Sequence, residues 1–314
     1  MSKVTRRQLI QTGLGIGSAL LAGEVIGMAD TNNTTEKPLD PNKLTVAVVQ
    51  FRSTTDLVDN VRRHCDYIRK CAKDGARVVV FPECSITGFF DENVAKASKA
   101  DIDKAEAAVC AAAKEANVYA IVGSPTKTDT VTYNSAVVIT PEGKIIERYH
   151  KVHLAGESWA TPGDHLSVFP IDGTLCSIIV CHDERYPELV RLPVIAGARI
   201  VFYISSESGV TEEQKIEPYR AQIVARAVEN NVYIAHANSP ADPKDLSHSS
   251  HGQSRLITPS GNIITEAGIF EEEVITAEFD LKKATGHVAS QSLVCPFLKG
   301  WWEQGAAKVR VIKG

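Results

Sequence analysis

Three strand-like runs in this chain lead into a residue able to take part in covalent catalysis. Ile178-Ile179-Val180 runs into Cys181, and His182-Asp183-Glu184-Arg185-Tyr186-Pro187-Glu188 then reads as a helix start. Phe81-Pro82 leads into Glu83, with Pro82 stopping any strand ladder just before the carboxylate. Lys151 stands just past Ile145-Ile146-Glu147-Arg148-Tyr149-His150. A thiol, a carboxylate and an ammonium are a nucleophile, a proton acceptor and a partner for developing negative charge, the set that acyl transfer through a thioester uses. Cys181 has the further advantage of a strand-to-helix turn, which exposes a side chain at the sheet edge and aims backbone N–H groups at it. Each residue also has an ordinary explanation. Free cysteine is usually a small buried hydrophobe, and a glutamate or lysine at a strand end can simply be solvated.

The elements that must position these groups alternate in type. Leu44 to Gln50 reads as a strand, after which Leu57, Val61, Cys65, Ile68 and Ala72 recur three or four apart on one helix face. The rhythm continues with a strand over Arg77 to Phe81, a helix over Lys96 to Ala116, and a strand over Val118 to Gly123. A hairpin is predicted from Val131 to Tyr149, turning at Pro141-Glu142-Gly143-Lys144. Further strands are expected over Leu175 to Cys181, Ile200 to Ser205, Val232 to Asn238, Gly252 to Thr258 and Val274 to Phe279, with helices near Pro187 to Ala196 and Glu213 to Glu229. Short strands interspersed with covering helices define an α/β protein with stacked sheets in one domain.

Composition narrows the partners. Of 314 residues, 44% are hydrophobic and 23% charged, which suits one large core. A net charge of −4 offers no clustered excess of Lys and Arg, so nucleic acid is not an expected partner. The seven cysteines form no CxxC pair and are odd in number, against a disulfide scaffold. His150 with His153, and His248 with His251, lie outside any helical Glu-containing motif or matched cysteine pair, so core or loop histidines are expected rather than zinc ligands. No metal and no cofactor is implied.

The N-terminus reads as an address. Arg6-Arg7 precedes a weakly apolar, Gly-rich stretch from Leu9 to about Ile26, and Gly27-Met28-Ala29 follows, a twin-arginine export pattern. Gln11, Glu24 and the glycines make the stretch too polar for a comfortable membrane span, so membrane contact is expected only through an uncleaved signal. The expected divisions are a signal over 1–29, a disordered lead-in over 30–42, the main domain over 43–285 and a tail over 286–314, in an exported, periplasmic protein.

Taken together, the strings resemble the nitrilase superfamily of carbon–nitrogen hydrolases. The resemblance rests on Phe81-Pro82-Glu83 with Gly88, Tyr133-Asn134-Ser135-Ala136, Lys151-Val152-His153-Leu154, Thr161-Pro162-Gly163-Asp164, Cys181 to Glu188 with Arg191, Gly197-Ala198 and Arg226-Ala227-Val228-Glu229-Asn230. It implies a four-layer αββα sandwich and a catalytic set of Glu83, Lys151 and Cys181. It also implies a second glutamate soon after the lysine, for which Glu157 is the candidate, and a homodimer or higher homo-oligomer. Trp301-Trp302 in the tail would then cover a subunit interface or pack on its own domain. The chemistry accounts for these residue types. A cysteine with a pKa near ~8.5 is only a few per cent thiolate at neutral pH, so it needs a base, Glu83. Lys151 and the backbone N–H of His182 would stabilise the oxyanion, an effect worth roughly 3–4 kcal/mol per donor. Glu83 would then protonate the leaving nitrogen, and a water oriented with the help of Glu157 would hydrolyse the thioester.

Rival readings are weaker. Cys181-His182-Asp183 suggests a relay, but adjacent side chains in an extended segment point to opposite faces. True nitrilases follow the cysteine with Trp-Glu, whereas Cys181 to Glu188 is similar to the amidase and N-carbamoyl-amide branches. A small amide or ureido compound is therefore the expected substrate, with a nitrile hydrolase or a catalytically silent binding protein as the alternatives. Phe89 and Phe90 after the Glu83 strand, and Ser205-Ser206-Glu207 after the strand that follows Cys181, are expected at the pocket, where Glu207 would meet a substrate cation or else be solvated.

Overall fold

The computed structural model describes residues 40–207, 209, 213–247 and 249–313. The expected export signal and the expected lead-in up to residue 39 lie outside them, as does His248. The first half of the described chain runs β1 (Lys43–Gln50), α1 (Leu57–Lys73), β2 (Val78–Val80), α2 (Asp91–Lys96), α3 (Lys99–Ala116), β3 (Tyr119–Lys127), β4 (Thr132–Ile139) and β5 (Ile145–His150). It continues with β6 (Ser167–Ile171), β7 (Thr174–Val180), α4 (Glu188–Ile195), β8 (Ile200–Ser205), α5 (Glu213–Val228), β9 (Tyr233–Asn238), β10 (Arg255–Ile257), β11 (Ile263–Glu266), β12 (Glu273–Asp280), α6 (His287–Ser290), α7 (Pro296–Ala306) and β13 (Arg310–Val311).

These strands form two mixed sheets, ordered β12-β1-β2-β3-β4-β5 and β11-β10-β9-β8-β7-β6-β13. Strand alternation sorts their side chains into three cores. Val46, Val48, Val80, Ile121 and Val138 of the first sheet meet Ile178, Val180, Phe202 and Ile204 of the second in the central core. The opposite faces carry Ala47, Val49 and Val79 against Ile68 of α1 and Val109 of α3, and Ile179 and Val201 against Val190 of α4 and Ile223 of α5. This is the expected four-layer αββα sandwich. Strands buried on both faces explain why β1, β7 and β8 read as nearly unbroken apolar runs.

Three local differences from the sequence reading have physical causes. The helix expected from Lys96 begins at Lys99, because Ser98 caps it: its side chain accepts from Asp101 N while Asp101 returns a bond to the Ser98 backbone. Chain 167–171, with Pro170 inside it, pairs with β7 as a strand next to the sheet edge. Proline is tolerated there because β13 pairs only with Ser167 and Val168. The tail, finally, returns to the domain, with Arg310 N–H and Ile312 N–H donating to Leu166 and Val168 carbonyls at 2.8 Å each. Among the described residues no helix is long and apolar enough to cross a membrane.

Candidate active site

Glu83 and Cys181 leave the carboxyl ends of β2 and β7, two strands that share the central core. Both exits use a left-handed residue: Cys84 at φ 49° just after Glu83, and Cys181 itself at φ 47°. A side chain in this conformation costs about 1–2 kcal/mol, a strain held here by buried strands on either side. From Cys181 the chain passes through a short 3-10 turn to Arg185, so the nucleophile candidate sits on a sharp strand-to-helix turn. The Glu83 turn is crowded against β3. A Cβ on Gly123 would stand 2.3 Å from both Cys84 N and Pro82 O, so only glycine lets the backbones pass.

Lys151 follows β5 and is fixed through its backbone. Its N–H donates to Asn134 O and its carbonyl accepts from Gly163 N–H, both at 2.8 Å. Gly163 is required for this close approach, because a Cβ there would fall 2.1 Å from His150 O. The Lys151 ammonium is fully buried between two carboxylates, donating to Glu83 Oε1 at 2.8 Å and to Glu157 Oε1. Asn134 Nδ2 donates to the same two oxygens, at 2.7 Å to Glu83 and 3.2 Å to Glu157. Backbone N–H groups hold the other oxygens, Ser206 on Glu83 Oε2 at 2.8 Å and Ala155 on Glu157 Oε2 at 2.5 Å.

The electrostatics set the resting protonation. Burial penalises the Lys151 charge, but the acidic groups of Cys181, Glu83 and Glu157 around it outweigh that and hold its pKa above the usual range. Burial likewise works against the Glu157 carboxylate, and the Lys151 ammonium beside it reverses the balance and holds it below the ordinary value. For Cys181, burial and then the neighbouring Glu83 charge push the thiol well up, against the opposing pull of Lys151. These directions favour the charged form of Lys151, the ionised form of Glu157 and the protonated form of the Cys181 thiol.

His182 and Asp183 do not form a relay with Cys181. Asp183 is buried and accepts from Tyr149 Oη and His153 N, each at 2.8 Å, and from Val180 N at 3.1 Å. It thus ties the Lys151 loop to the Cys181 turn, while burial pushes its carboxyl up to about 6 despite those three donors. The His182 ring stands near Tyr186. His150 and His153 are stacked on Tyr133 and Tyr186, with ring centroids 4.1 and 3.5 Å apart.

Phe89 and Phe90 line a cavity of about 220 Å³ that reaches Glu83, together with Ser206, Arg52 and Ser250. Ser205 and Glu207 are not among the residues that line this cavity, although the Glu207 charge acts on Cys181. The Ser205 hydroxyl meets His236 Nε2 at 2.7 Å and Asn238 Oδ1 at 2.9 Å. Glu207 is buried beneath Tyr203, whose hydroxyl donates to it, and lies 2.9 Å from His251 Nε2. Glu184, three residues after Cys181, is buried too, and neither of its carboxylate oxygens has a hydrogen-bond partner among the described residues. Burial, and next the Glu207 charge, hold it well above the usual carboxylate range.

Comparison with known proteins gives the family and the fold. The chain belongs to the carbon-nitrogen hydrolase family, whose model matches residues 45–286. Omega-amidase NIT2 of Homo sapiens is 30% identical over 254 residues, spanning 76% of this chain and 89% of that protein. Omega-amidase NIT2-B of Xenopus laevis is 29% identical over 252 residues, spanning 76% and 90%. Among solved structures, a mutant of the Nesterenkonia AN1 amidase from the nitrilase superfamily superposes with a TM-score of 0.72 at 22% identity, covering 82% of this chain and 97% of that one. The protein is accordingly a hydrolase of carbon–nitrogen bonds.

Proposed function

We propose that the protein hydrolyses the C–N bond of a small non-peptide amide or ureido compound through a thioester on Cys181. One observation carries the reading: a fully buried ammonium clamped between two carboxylates, in the same field as a partly buried thiol at a strained turn. Glu83 takes the thiol proton as sulfur attacks the carbonyl carbon, and the C=O electron pair moves onto oxygen, where Lys151 and the His182 backbone N–H meet it. The C–N bond breaks as Glu83 returns the proton to nitrogen. Water then adds to the thioester, giving its proton to Glu83 with Glu157 orienting it, and as the C–S bond breaks Glu83 passes that proton to sulfur, releasing the acid and restoring the thiol. Two of the relatives carry the name omega-amidase, and one neighbouring amidase structure is titled for covalent addition of an acetamide moiety at its active-site cysteine.

The test is ammonia or amine release from aliphatic amides, N-carbamoyl amino acids and nitriles, with mass spectrometry for an acyl adduct. Turnover of the amides or ureido compounds is expected; turnover of nitriles alone would reject the assignment.

Two further assignments belong to the whole protein. The Arg6-Arg7 pair ahead of its weakly apolar stretch supports twin-arginine export, and an Arg6→Lys, Arg7→Lys chain should accumulate in the cytoplasm on fractionation; equal export of both forms would reject this. Phe297 is 91% exposed and Trp301 58% exposed on α7, which supports a homo-oligomeric contact there. Light scattering should read a multiple of 34.0 kDa that Phe297→Asp breaks down, and a wild-type monomer would refute the contact.

A further inference from the structure

Asn134 touches both glutamates yet has no role in the chemistry written above. Its amide orientation follows from its partners. Nδ2 faces Glu83 Oε1 and Glu157 Oε1, groups that accept, while Oδ1 receives the Cys84 thiol proton at 3.4 Å. The reverse orientation would set an amide oxygen against two carboxylates. A carboxylate oxygen has two acceptor sites. On Glu83 Oε1 both are taken, one by Asn134 and one by Lys151. On Oε2 one is taken, by Ser206 N–H, and among the described residues no second donor meets it. On Glu157, Oε1 likewise carries Lys151 and Asn134, and Oε2 carries Ala155 N–H.

We propose that Asn134 is a positioning residue that confines the catalytic proton to Glu83 Oε2, by keeping the facing Oε1 atoms of Glu83 and Glu157 occupied by donors. Asn134 has no proton to give up and none to accept at Nδ2, so the two carboxylates cannot share a proton across the gap between their Oε1 atoms. The S–H bond of Cys181 breaks and an O–H bond forms on Oε2. When the C–N bond breaks, that same proton passes to the leaving nitrogen. Cys84 contributes only by accepting the role of donor to Oδ1, and the Asn134 carbonyl that holds Lys151 N–H belongs to the backbone and survives substitution of the side chain.

This inference rests on the thioester reading, and its test separates the two. The rate of Cys181 alkylation by iodoacetamide, read at the Cys181 peptide by mass spectrometry, is followed against pH in wild type, Asn134→Ala and Asn134→Asp, alongside kcat and KM on an amide that the wild type turns over. Asn134 donates to both glutamates, and losing a donor favours a carboxyl's protonated form, so the acidic limb of both profiles should move to higher pH by about one unit in Asn134→Ala. It should move further in Asn134→Asp, where a third carboxyl joins the pair. In both variants kcat should fall by about 10² with KM within about threefold. Asn134→Asp is isosteric, and it decides the matter if the alanine variant does not fold. An unmoved acidic limb in a folded variant, or a loss confined to the melting temperature, would overturn the proposal. A shifted alkylation profile in an enzyme that hydrolyses no amide would uphold Asn134 and sink the proposed substrate class instead.

Discussion

Cys181→Ala should lower kcat/KM on any amide substrate by about 10⁴-fold or more, equivalent to about 5.5 kcal/mol at 1.36 kcal/mol per tenfold, while the melting temperature stays within a few degrees. The fold should tolerate the change because alanine keeps the Cβ and gives up only Sγ, and because the left-handed backbone at φ 47° strains alanine no more than cysteine. The loss of activity should be this large because no other described thiol can substitute. Cys84 is the one with a claim, being buried next to Glu83, but its thiol is committed to Asn134 Oδ1. Burial and the adjacent Glu83 charge also hold it well above the usual thiol range. Cys84→Ala should therefore retain activity within about tenfold, in keeping with an indirect part. Steady-state kinetics on the two variants, with mass spectrometry for the acyl adduct, checks both expectations. Turnover above a few per cent in Cys181→Ala, or an adduct on Cys84, would remove Cys181 as nucleophile.

Much of this arrangement was legible in the sequence because the catalytic groups sit at element ends. Glu83 and Cys181 each follow an apolar strand and Lys151 follows the second strand of a predicted hairpin, so element ends located them before any geometry was known. The layers were legible because strands covered on both sides carry unbroken apolar runs. Partnerships between distant elements were harder to see. Asn134 stood in the string Tyr133-Asn134-Ser135-Ala136 that carried the family resemblance, yet its two glutamates lie 51 and 23 residues away and nothing local announces them. Asp183 looked like a relay member by adjacency, but its actual partners belong to β5 and the Lys151 loop. Ser205, Ser206 and Glu207 were read as one pocket segment, but β8 ends at Ser205 and of the three only Ser206 lines the cavity. Spacing along the chain finds groups of the right type; which oxygen meets which donor is settled by how the two sheets stack.

Lys151→Met should give the largest combined loss of stability and activity, and its pH dependence should run opposite to that of the wild type. Methionine approximates the length of the lysine stem but leaves the Glu83 and Glu157 oxygens with Asn134 as their only shared donor. Removing one partner of a buried ion pair costs about 3–5 kcal/mol. For a domain of this size, that corresponds to a melting temperature lower by roughly 10 °C. The signs can be worked out for each protein. In the wild type, the Glu157 carboxyl lies below its ordinary value, so its contribution is present above the unfolded pKa near 4.5 and is lost as pH falls through the lower folded value. In Lys151→Met, two buried carboxyls face each other without a cation, and at least one binds its proton more tightly in the folded state than in the unfolded one. The folded variant is then least penalised below about pH 4 and loses stability as pH rises through the raised value. Melting curves at pH 5 and pH 8 should therefore show the gap between variant and wild type widening with pH. In parallel, kcat should fall by about 10³-fold at every pH, because the oxyanion loses its charged partner whichever way the carboxyls are protonated. A variant with the same melting temperature as wild type at both pH values would mean that Lys151 does not hold the two glutamates together, and the charge balance assigned to the site would have to be redrawn.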